Sequence, residues 1–432
     1  MNYLLKNGRI IDPALKLDKV ADLLIVEGVI EQIGGKVKAE GGTEIIDLKG
    51  AVIAPGFIDM HVHLREPGFE HKETIASGCR AAAAGGFTAV CCMPNTNPAI
   101  DEAGMVSEIL FKAARTGVPV DVFPVAAVTK GREGKELSQM MELAEAGAVA
   151  FTDDGAPVGS AEMMRRAFEY SSMIDKPIIQ HAEELTLTRG GVMNEGAVST
   201  ALGMQGMPPV AEDMIVLRDM AIAEYVKAQY HVAHISTRGA VEAVRRGKKK
   251  GINVTCEVTP HHFTLDHDAV RSFDTNTKMN PPLRTKDDIE AVKEGLRDGT
   301  IDVIATDHAP HSYDEKQVEY RFAPFGIVGL ETALGLACTE LVHKKVISVN
   351  ELIEKLSVNP RKILHLPRVE IREGAKANLT FFDPKMEWTV DITSFKSKSK
   401  NSPFHGWKLR GRALGIFNNG ELFLSSEIGN GG

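Results

Sequence analysis

The chain lacks any hydrophobic run long enough to cross a membrane. None of its apolar stretches approaches about 20 residues without a charged side chain, the length that a transmembrane helix needs. The first residues, MNYLLKNGRIIDP, also lack the apolar segment of a secretory signal peptide. We therefore expect a cytoplasmic protein that has no membrane partner.

An excess of positive charge is absent as well. The 432 residues contain 50 Lys and Arg against 58 Asp and Glu, which gives a formal net charge of −8. Nucleic acids and anionic membranes attract proteins whose charge is of the opposite sign. The charge of the whole chain therefore argues against a nucleic-acid partner.

Cysteine is scarce, with 5 residues in the whole chain. No two of them have the Cys-x-x-Cys spacing, so we do not expect a zinc site built from thiolates. An odd number of cysteines in a large chain without a signal peptide is typical of reduced thiols. Cys91 and Cys92 lie inside an apolar run and are expected to be core residues.

Strand-like runs alternate with helical patterns through the middle of the chain. Several runs are almost continuously hydrophobic, as parallel strands buried on both faces are. The segments between them place apolar residues three and four positions apart, which is the helical period. Eight such strands predict an α/β fold, a (β/α)8 TIM-like barrel. The runs lie near residues 57–64, 87–95, 120–128, 148–154, 177–184, 230–236, 253–262 and 302–311.

The two ends of the chain show short alternating strands separated by turns. The Asn-Asn-Gly at 418–420, for example, is typical of a hairpin turn. We expect residues 1–54 and 370–432 to pair into one small, discontinuous β domain beside a barrel domain of residues 55–369. Two independent β appendages are the alternative.

Two histidines mark the end of the first predicted barrel strand, in PGFIDMHVHLREPG. Alternate side chains of a strand point to the same face, so His61 and His63 project together and can bind one metal ion. Arg65 lies two residues after His63, so its side chain is expected on the same face. A cation beside a metal site indicates an anionic substrate. Barrel enzymes place their chemistry at these C-terminal strand ends.

Other side chains that can bind a metal follow the later strands in the same way. They are Asp153 and Asp154 after the fourth strand, His181 after the fifth, His234 after the sixth and Asp307 after the eighth. Each alone could be structural, but the pattern recurs at five strand ends. Four imidazoles and two carboxylates exceed the needs of one ion, so they favour two zinc ions about 3.5–4 Å apart with a bridging carboxylate. Strand parity says only that one of Asp153 and Asp154 faces inward.

Motifs spread along the chain resemble those of a known family. They are PGFIDMHVHLREPG, the MPNT of Met93 to Thr96, FTDDG, EVTPHH, MNPPLR, ATDHAPH and, in the tail, SKSKNSPFHGWKLRG. Together they resemble the bacterial type I dihydroorotases of the amidohydrolase superfamily. The resemblance implies a zinc enzyme of de novo pyrimidine (UMP) biosynthesis that reversibly cyclises N-carbamoyl-L-aspartate to L-dihydroorotate.

The resemblance also implies a role for each metal-binding position. The ligands would form two zinc sites and a bridge: His61 and His63 with Asp307 nearby, His181 with His234, and Asp153 between the two pairs. Zinc lowers the pKa of bound water toward ~7, so hydroxide would attack the ring amide carbonyl at neutral pH. Asp307 would take the proton as general base and return it to the ring nitrogen as general acid.

The substrate carboxylate needs hydrogen-bond donors. Arg65 offers a planar guanidinium suited to a carboxylate, and Asn95, at the end of the second strand, adds an amide. The segment from Ala309 to Gly326 is long and contains two prolines, so it is a candidate lid. The resemblance implies further substrate contacts from His63, Asn280, His311, Phe325 and Gly326.

Two other functions stay open. Allantoinases and dihydropyrimidinases are related cyclic amidases, but their substrates lack the carboxylate and they usually carry a carboxylated lysine bridge. No lysine occupies the matching position of the fourth strand here. A non-catalytic scaffold of the same fold is the alternative from another class, and the full set of expected ligands argues against it. The family further implies a homodimer. Aspartate transcarbamoylase, which supplies carbamoyl-aspartate, is a candidate partner.

Overall fold

The computed structural model describes residues 1–38 and 41–425. Within these residues the strands are β1 (Asn2–Asp12), β2 (Leu17–Val26), β3 (Val29–Gly34), β4 (Thr43–Asp47), β5 (Val52–Pro55), β6 (Phe57–Val62), β7 (Phe87–Cys92), β8 (Asp121–Ala126), β9 (Ala150–Phe151), β10 (Ile178–Gln180), β11 (Met193–Asn194), β12 (Gly206–Met207), β13 (Tyr230–Val232), β14 (Val254–Val258), β15 (Val303–Ile304), β16 (Leu379–Thr389), β17 (Lys408–Asn418) and β18 (Glu421–Leu424).

The α-helices are α1 (Ile75–Gly85), α2 (Ala103–Ala113), α3 (Met140–Glu145), α4 (Ala161–Met173), α5 (Leu185–Thr188), α6 (Ala197–Leu202), α7 (Val210–Val226), α8 (Arg238–Lys249), α9 (Lys286–Asp298), α10 (Tyr313–Lys316), α11 (Ala333–Ala337), α12 (Val349–Ile353) and α13 (Asn359–Ile363). A π-helical turn at Glu354–Val358 joins α12 to α13. No helix of the described residues is long and apolar enough to cross a membrane.

Eight parallel strands form the barrel, in the order β6-β7-β8-β9-β10-β13-β14-β15. A parallel bridge between Val62 and His308 joins the chain after β15 to β6 and nearly closes the ring. Each of the eight strands lies within one of the predicted runs. The (β/α)8 prediction is therefore confirmed. The short pair β11 and β12, in the connection after β10, was not predicted.

The barrel strands are buried on both faces and therefore carry apolar side chains on both, which fill the barrel interior. β6 and β7, for example, are buried at every position. The inner hydrophobic cluster of the barrel includes Ile58, Met60, Cys91, Val303 and Leu364. Cys92 packs in the outer cluster, and all the cysteines are buried free thiols, so the core prediction for this pair is confirmed.

Local hydrogen bonds fix both ends of α1. Thr74 caps α1 by accepting a hydrogen bond from the backbone of Ser77 at 3.1 Å. The helix ends at Gly86, whose φ of 90° is left-handed and suits glycine, and β7 begins at the next residue. A single residue, Gly86, therefore connects α1 to β7.

Strands from both chain ends share a second sheet, in the order β18-β17-β16-β5-β1-β2-β3, with β4 paired to β1. β16 pairs antiparallel with β5, and this pairing joins the two ends into one sheet as predicted. The hairpin between β17 and β18 turns at Asn419 and Gly420, which both have positive φ. Residues 426–432 of the predicted β domain lie outside the described residues.

Candidate active site

Four imidazoles and two carboxylates meet at the C-terminal end of the barrel. Nε2 of His61 lies 3.3 Å from Oδ1 of Asp154 and 3.7 Å from Oδ1 of Asp307. Nε2 of His63 lies 2.9 Å from the same oxygen of Asp307 and 3.5 Å from Oδ2 of Asp154. The pair from the end of β6 therefore faces one carboxylate from the end of β9 and one from the end of β15.

The second pair of histidines also faces Asp154. Nε2 of His234 is 3.7 Å from Oδ1 of Asp154, and Nδ1 of His181 is 3.9 Å from the same atom. The two rings approach each other at 3.0 Å between Nδ1 of His181 and Nε2 of His234. Asp154 is thus within 4 Å of all four imidazoles, between the two pairs.

This donor set fits a bound divalent metal. Within the cluster, two groups of ligand atoms lie within 4.8 Å of one another, namely His61, His63 and Asp307, and His61, Asp154 and His234. Nε2 of His61, which faces the cluster, is buried and lacks a hydrogen-bond partner among the described residues. A buried polar atom without a partner is costly, and binding a metal satisfies such a nitrogen.

Asp153, the residue predicted to bridge, lies outside this cluster. Its carboxylate accepts hydrogen bonds from the backbone amide of Thr129, at 3.0 Å, and from the Thr129 hydroxyl. Burial raises the pKa of Asp153 to about 6. Both residues follow the end of β9 at Phe151, and the one that faces the imidazoles is Asp154. Of the two adjacent carboxylates, Asp154 is therefore the one that lies near the four imidazoles.

Two buried glutamates that sequence reasoning missed hold the outer nitrogens of the histidines. Oε1 of Glu257 lies 2.7 Å from Nδ1 of His61, and Oε2 of Glu183 lies 2.8 Å from Nε2 of His181. Burial alone would raise the pKa of Glu257, but the charge and hydrogen bond of His61 hold it far below its ordinary value. Such carboxylates orient metal-binding imidazoles. Glu183 follows His181 with the alternate-residue spacing of the first histidine pair, a signal that could have found it.

Three candidate site residues have left-handed backbone, which residues other than glycine rarely adopt. The φ angle is 62° at Arg65, 31° at His234 and 47° at Asp307. Each such residue costs about 1–3 kcal/mol and persists only where its surroundings hold it. All three follow barrel strands and line the same cavity.

A cavity of about 310 Å³ opens over the cluster. Met279 and Pro324 contribute to its wall. A larger cavity of about 470 Å³, between α11 and β17, contains none of the predicted site residues. The smaller cavity is lined by every predicted substrate contact: His63, Arg65, Asn95, Asn280, His311, Phe325 and Gly326.

Arg65 gives one side of this cavity a positive charge. Burial lowers the pKa of Arg65 to about 10, so the guanidinium stays charged at neutral pH. Its Nε donates to the carbonyl of Pro310 at 3.1 Å, and its Nη2 lies 3.4 Å from Nε2 of His311. That Nε2 is also 2.8 Å from the carbonyl oxygen of Phe325.

The two asparagines connect the cavity wall to the metal-binding cluster. Oδ1 of Asn95 lies 2.7 Å from Nδ1 of His63, and its Nδ2 lies 3.5 Å from Oδ2 of Asp154. Nδ2 of Asn280 donates to Glu183 at 2.8 Å. A substrate in the cavity would therefore meet amide groups that are already aligned by the cluster.

Known proteins resemble this chain in sequence and in fold. A family model described as "Dihydro-orotase-like" matches residues 50–240. The dihydroorotase of Geobacter metallireducens is 52% identical over 413 residues, which cover 96% of this chain and 97% of that protein. The dihydroorotase of Syntrophus aciditrophicus is 50% identical over 428 residues, which cover 99% of this chain and 100% of that protein.

Solved structures of cyclic amidases share the fold. The L-hydantoinase (dihydropyrimidinase) from Arthrobacter aurescens has a TM-score of 0.87 at 23% identity, with 98% of this chain and 96% of that chain covered. The dihydropyrimidinase from Brevibacillus agri has a TM-score of 0.85 at 22% identity, with 99% and 96% covered. At such identities the likeness concerns the fold alone.

Proposed function

The chain belongs to the dihydroorotase family, and from this premise we propose that it is a bacterial type I dihydroorotase. It catalyses the reversible cyclisation of N-carbamoyl-L-aspartate to L-dihydroorotate, a step of pyrimidine biosynthesis. The observation that carries the proposal is the single cavity in which Arg65 faces the cluster of histidines and aspartates. A metal centre suits attack on an amide carbonyl, and the adjacent cation suits a substrate that also carries a carboxylate.

We propose that the cluster holds two zinc ions. His61, His63 and Asp307 would hold one ion, His181 and His234 the other, with Asp154 between them. When bound, the ions supply Lewis acidity, which makes water nucleophilic at neutral pH and polarises the scissile carbonyl.

Asp307 acts as the general base and then as the general acid. Burial alone would raise its pKa, but the hydrogen bond from His63 and the charge of His61 hold the pKa below its ordinary value. The carboxylate is therefore ionised at neutral pH and can take the proton of the attacking water. It delivers this proton to the ring nitrogen as the amide bond breaks, and cyclisation runs the same steps in reverse.

The substrate carboxylate lies against Arg65, Asn95 and His311. Arg65 supplies charge and a planar pair of donors, which suits a carboxylate better than a lysine would. His63, Asn280 and the backbone at Phe325 and Gly326 contact the rest of the ring. Allantoin and dihydrouracil have no carboxylate to satisfy Arg65, so the same cavity discriminates against them.

The test is a direct assay of the purified, zinc-replete protein with L-dihydroorotate, in which ring opening is followed as loss of ultraviolet absorbance. Allantoin and dihydrouracil run alongside. Turnover of dihydroorotate alone supports the proposal. Turnover of another cyclic amide, or none of dihydroorotate even after addition of aspartate transcarbamoylase, contradicts it.

We also propose a setting for the enzyme, supported by its family alone. It works in the cytoplasm as a homodimer and associates with aspartate transcarbamoylase, which supplies its substrate; co-purification tests this association. The β domain comprises residues 1–54 and 370–432, and the barrel domain comprises residues 55–369. The pairing of β5 with β16 supports this division.

A further inference from the structure

A segment between β16 and β17 leaves the second sheet and lies against the rim of the barrel. This C-terminal strap, residues 396–402 (KSKSKNS), belongs to the tail motif to which no role has been assigned. Glu331 accepts hydrogen bonds from the backbone of Lys396, at 2.8 Å, and of Ser397, at 3.0 Å. Glu73, which is fully buried, accepts from the backbone of Lys398 at 3.0 Å. The strap is therefore tied to the barrel by two carboxylates.

Asn401 of the strap joins the two ends of the candidate lid. Its Nδ2 donates to the carbonyl of Ala309 at 2.9 Å and to the carbonyl of Gly326 at 3.1 Å. Its Oδ1 accepts from the backbone amide of His311 at 3.0 Å, and its own carbonyl accepts from Val328 at 3.0 Å. The side chain is only 4% exposed, and both its donor and its acceptor are used.

The two lid ends are packed so closely that no side chain fits at Gly326. A Cβ at Gly326 would lie 2.7 Å from the carbonyl oxygen of Ala309 and 2.8 Å from the ring of His311. The ring of His311 in turn lies 3.4 Å from Arg65. The separation of the lid ends therefore sets where the imidazole stands relative to the guanidinium.

We propose that Asn401 is a positioning residue for substrate binding, an inference that rests on the proposed function. It holds His311 and Gly326 at the spacing that the substrate carboxylate requires beside Arg65. The hydrogen bonds of Asn401 go to the lid ends and to Val328, not to the candidate metal ligands, so its loss affects binding of substrate and transition state alike. Such a loss raises KM and leaves kcat nearly unchanged.

The experiment compares Asn401→Asp with a control of similar burial. Asn401→Asp keeps the acceptor for His311 and loses both donors to the lid carbonyls. The control is Asn418→Ala, because Asn418 is 3% exposed and donates to Thr88 and Asp121, which lie at the opposite end of the barrel. Asn401→Asp is expected to raise KM for dihydroorotate about tenfold with kcat within about threefold and metal content unchanged. Asn418→Ala lowers the melting temperature and leaves KM unchanged.

Failure of this inference differs from failure of the proposed function. An active wild type with an unchanged KM in Asn401→Asp, or an equal rise of KM in Asn418→Ala, overturns the role of Asn401. If the wild type does not turn over dihydroorotate, the role of Asn401 is tested by amide hydrogen exchange instead. Faster exchange at Ala309 and Gly326, the two lid ends, in Asn401→Asp but not in the control then supports the positioning role, and equal exchange overturns it. Asn401→Ala serves in the same tests if the aspartate variant does not fold.

Discussion

The two ends of β6 are surrounded by opposite kinds of side chain. At its start, Phe57 is fully buried and packs against Phe87 and Phe382, with ring centroids 6.4 Å and 5.6 Å away. Near its end, His61 is equally buried but lies between Glu257 and Asp154. One strand thus contributes stability at one rim and chemistry at the other.

The largest effect is expected from Asp154→Asn, which removes the carboxylate between the two histidine pairs. The wild type should contain about two zinc ions per chain when purified without chelators. Asp154→Asn should lose metal and nearly all turnover, because an amide does not offset the charge of two dications. Metal analysis by mass spectrometry measures this.

Asp153→Asn is the matched control for that change, because the two residues are adjacent and Asp153 contacts Thr129 instead of the histidines. It should keep its metal. Loss of metal in Asp153→Asn and retention in Asp154→Asn would return the bridging role to Asp153.

Asp307→Asn is expected to lower kcat by at least ~10²-fold, the low end for loss of acid–base catalysis. The fold should persist because the replacement is isosteric. Steady-state kinetics on the zinc-replete variant, with its metal content verified, measures the effect. Turnover near that of the wild type would remove Asp307 from the mechanism.

Phe57→Ala tests the opposite rim and should destabilise the protein by about 3–5 kcal/mol, the usual cost of truncating a buried phenylalanine. Urea unfolding measures the loss, and kcat of the folded variant should match the wild type. Phe111→Ala is the control, since Phe111 is 56% exposed. A large fall of kcat in folded Phe57→Ala would show that the two rims are not separable.

Arg65→Ala should weaken kcat/KM by about 1.5–3 kcal/mol, the range for a hydrogen bond to a charged group. The measurement is kcat/KM for dihydroorotate at fixed zinc. The control is Arg166→Ala, on the exposed face of α4, which should leave kcat/KM unchanged. An unchanged kcat/KM in Arg65→Ala would rule out the carboxylate contact.

The sequence predicted the barrel well because buried parallel strands leave near-continuous apolar runs in the chain. It could not choose between Asp153 and Asp154, because β9 ends at Phe151 and the strand parity is lost before either residue. Nor could it find Glu257, since a single glutamate within a strand carries no sign of which histidine it meets. That contact depends on the closed barrel, which brings β14 across from β6.

The joining of both chain ends in one sheet also sets an order of assembly during synthesis. The backbone amide of Phe57 bonds the hydroxyl of Thr380, which is 323 residues further along the chain. While the ribosome makes the barrel, the edge of β5 that will pair with β16 stays open, and an open strand edge invites pairing with other chains. The strap that carries Asn401 emerges later still. We therefore expect a nascent chain arrested before residue 379 to aggregate more readily than the complete one and to acquire activity only after release.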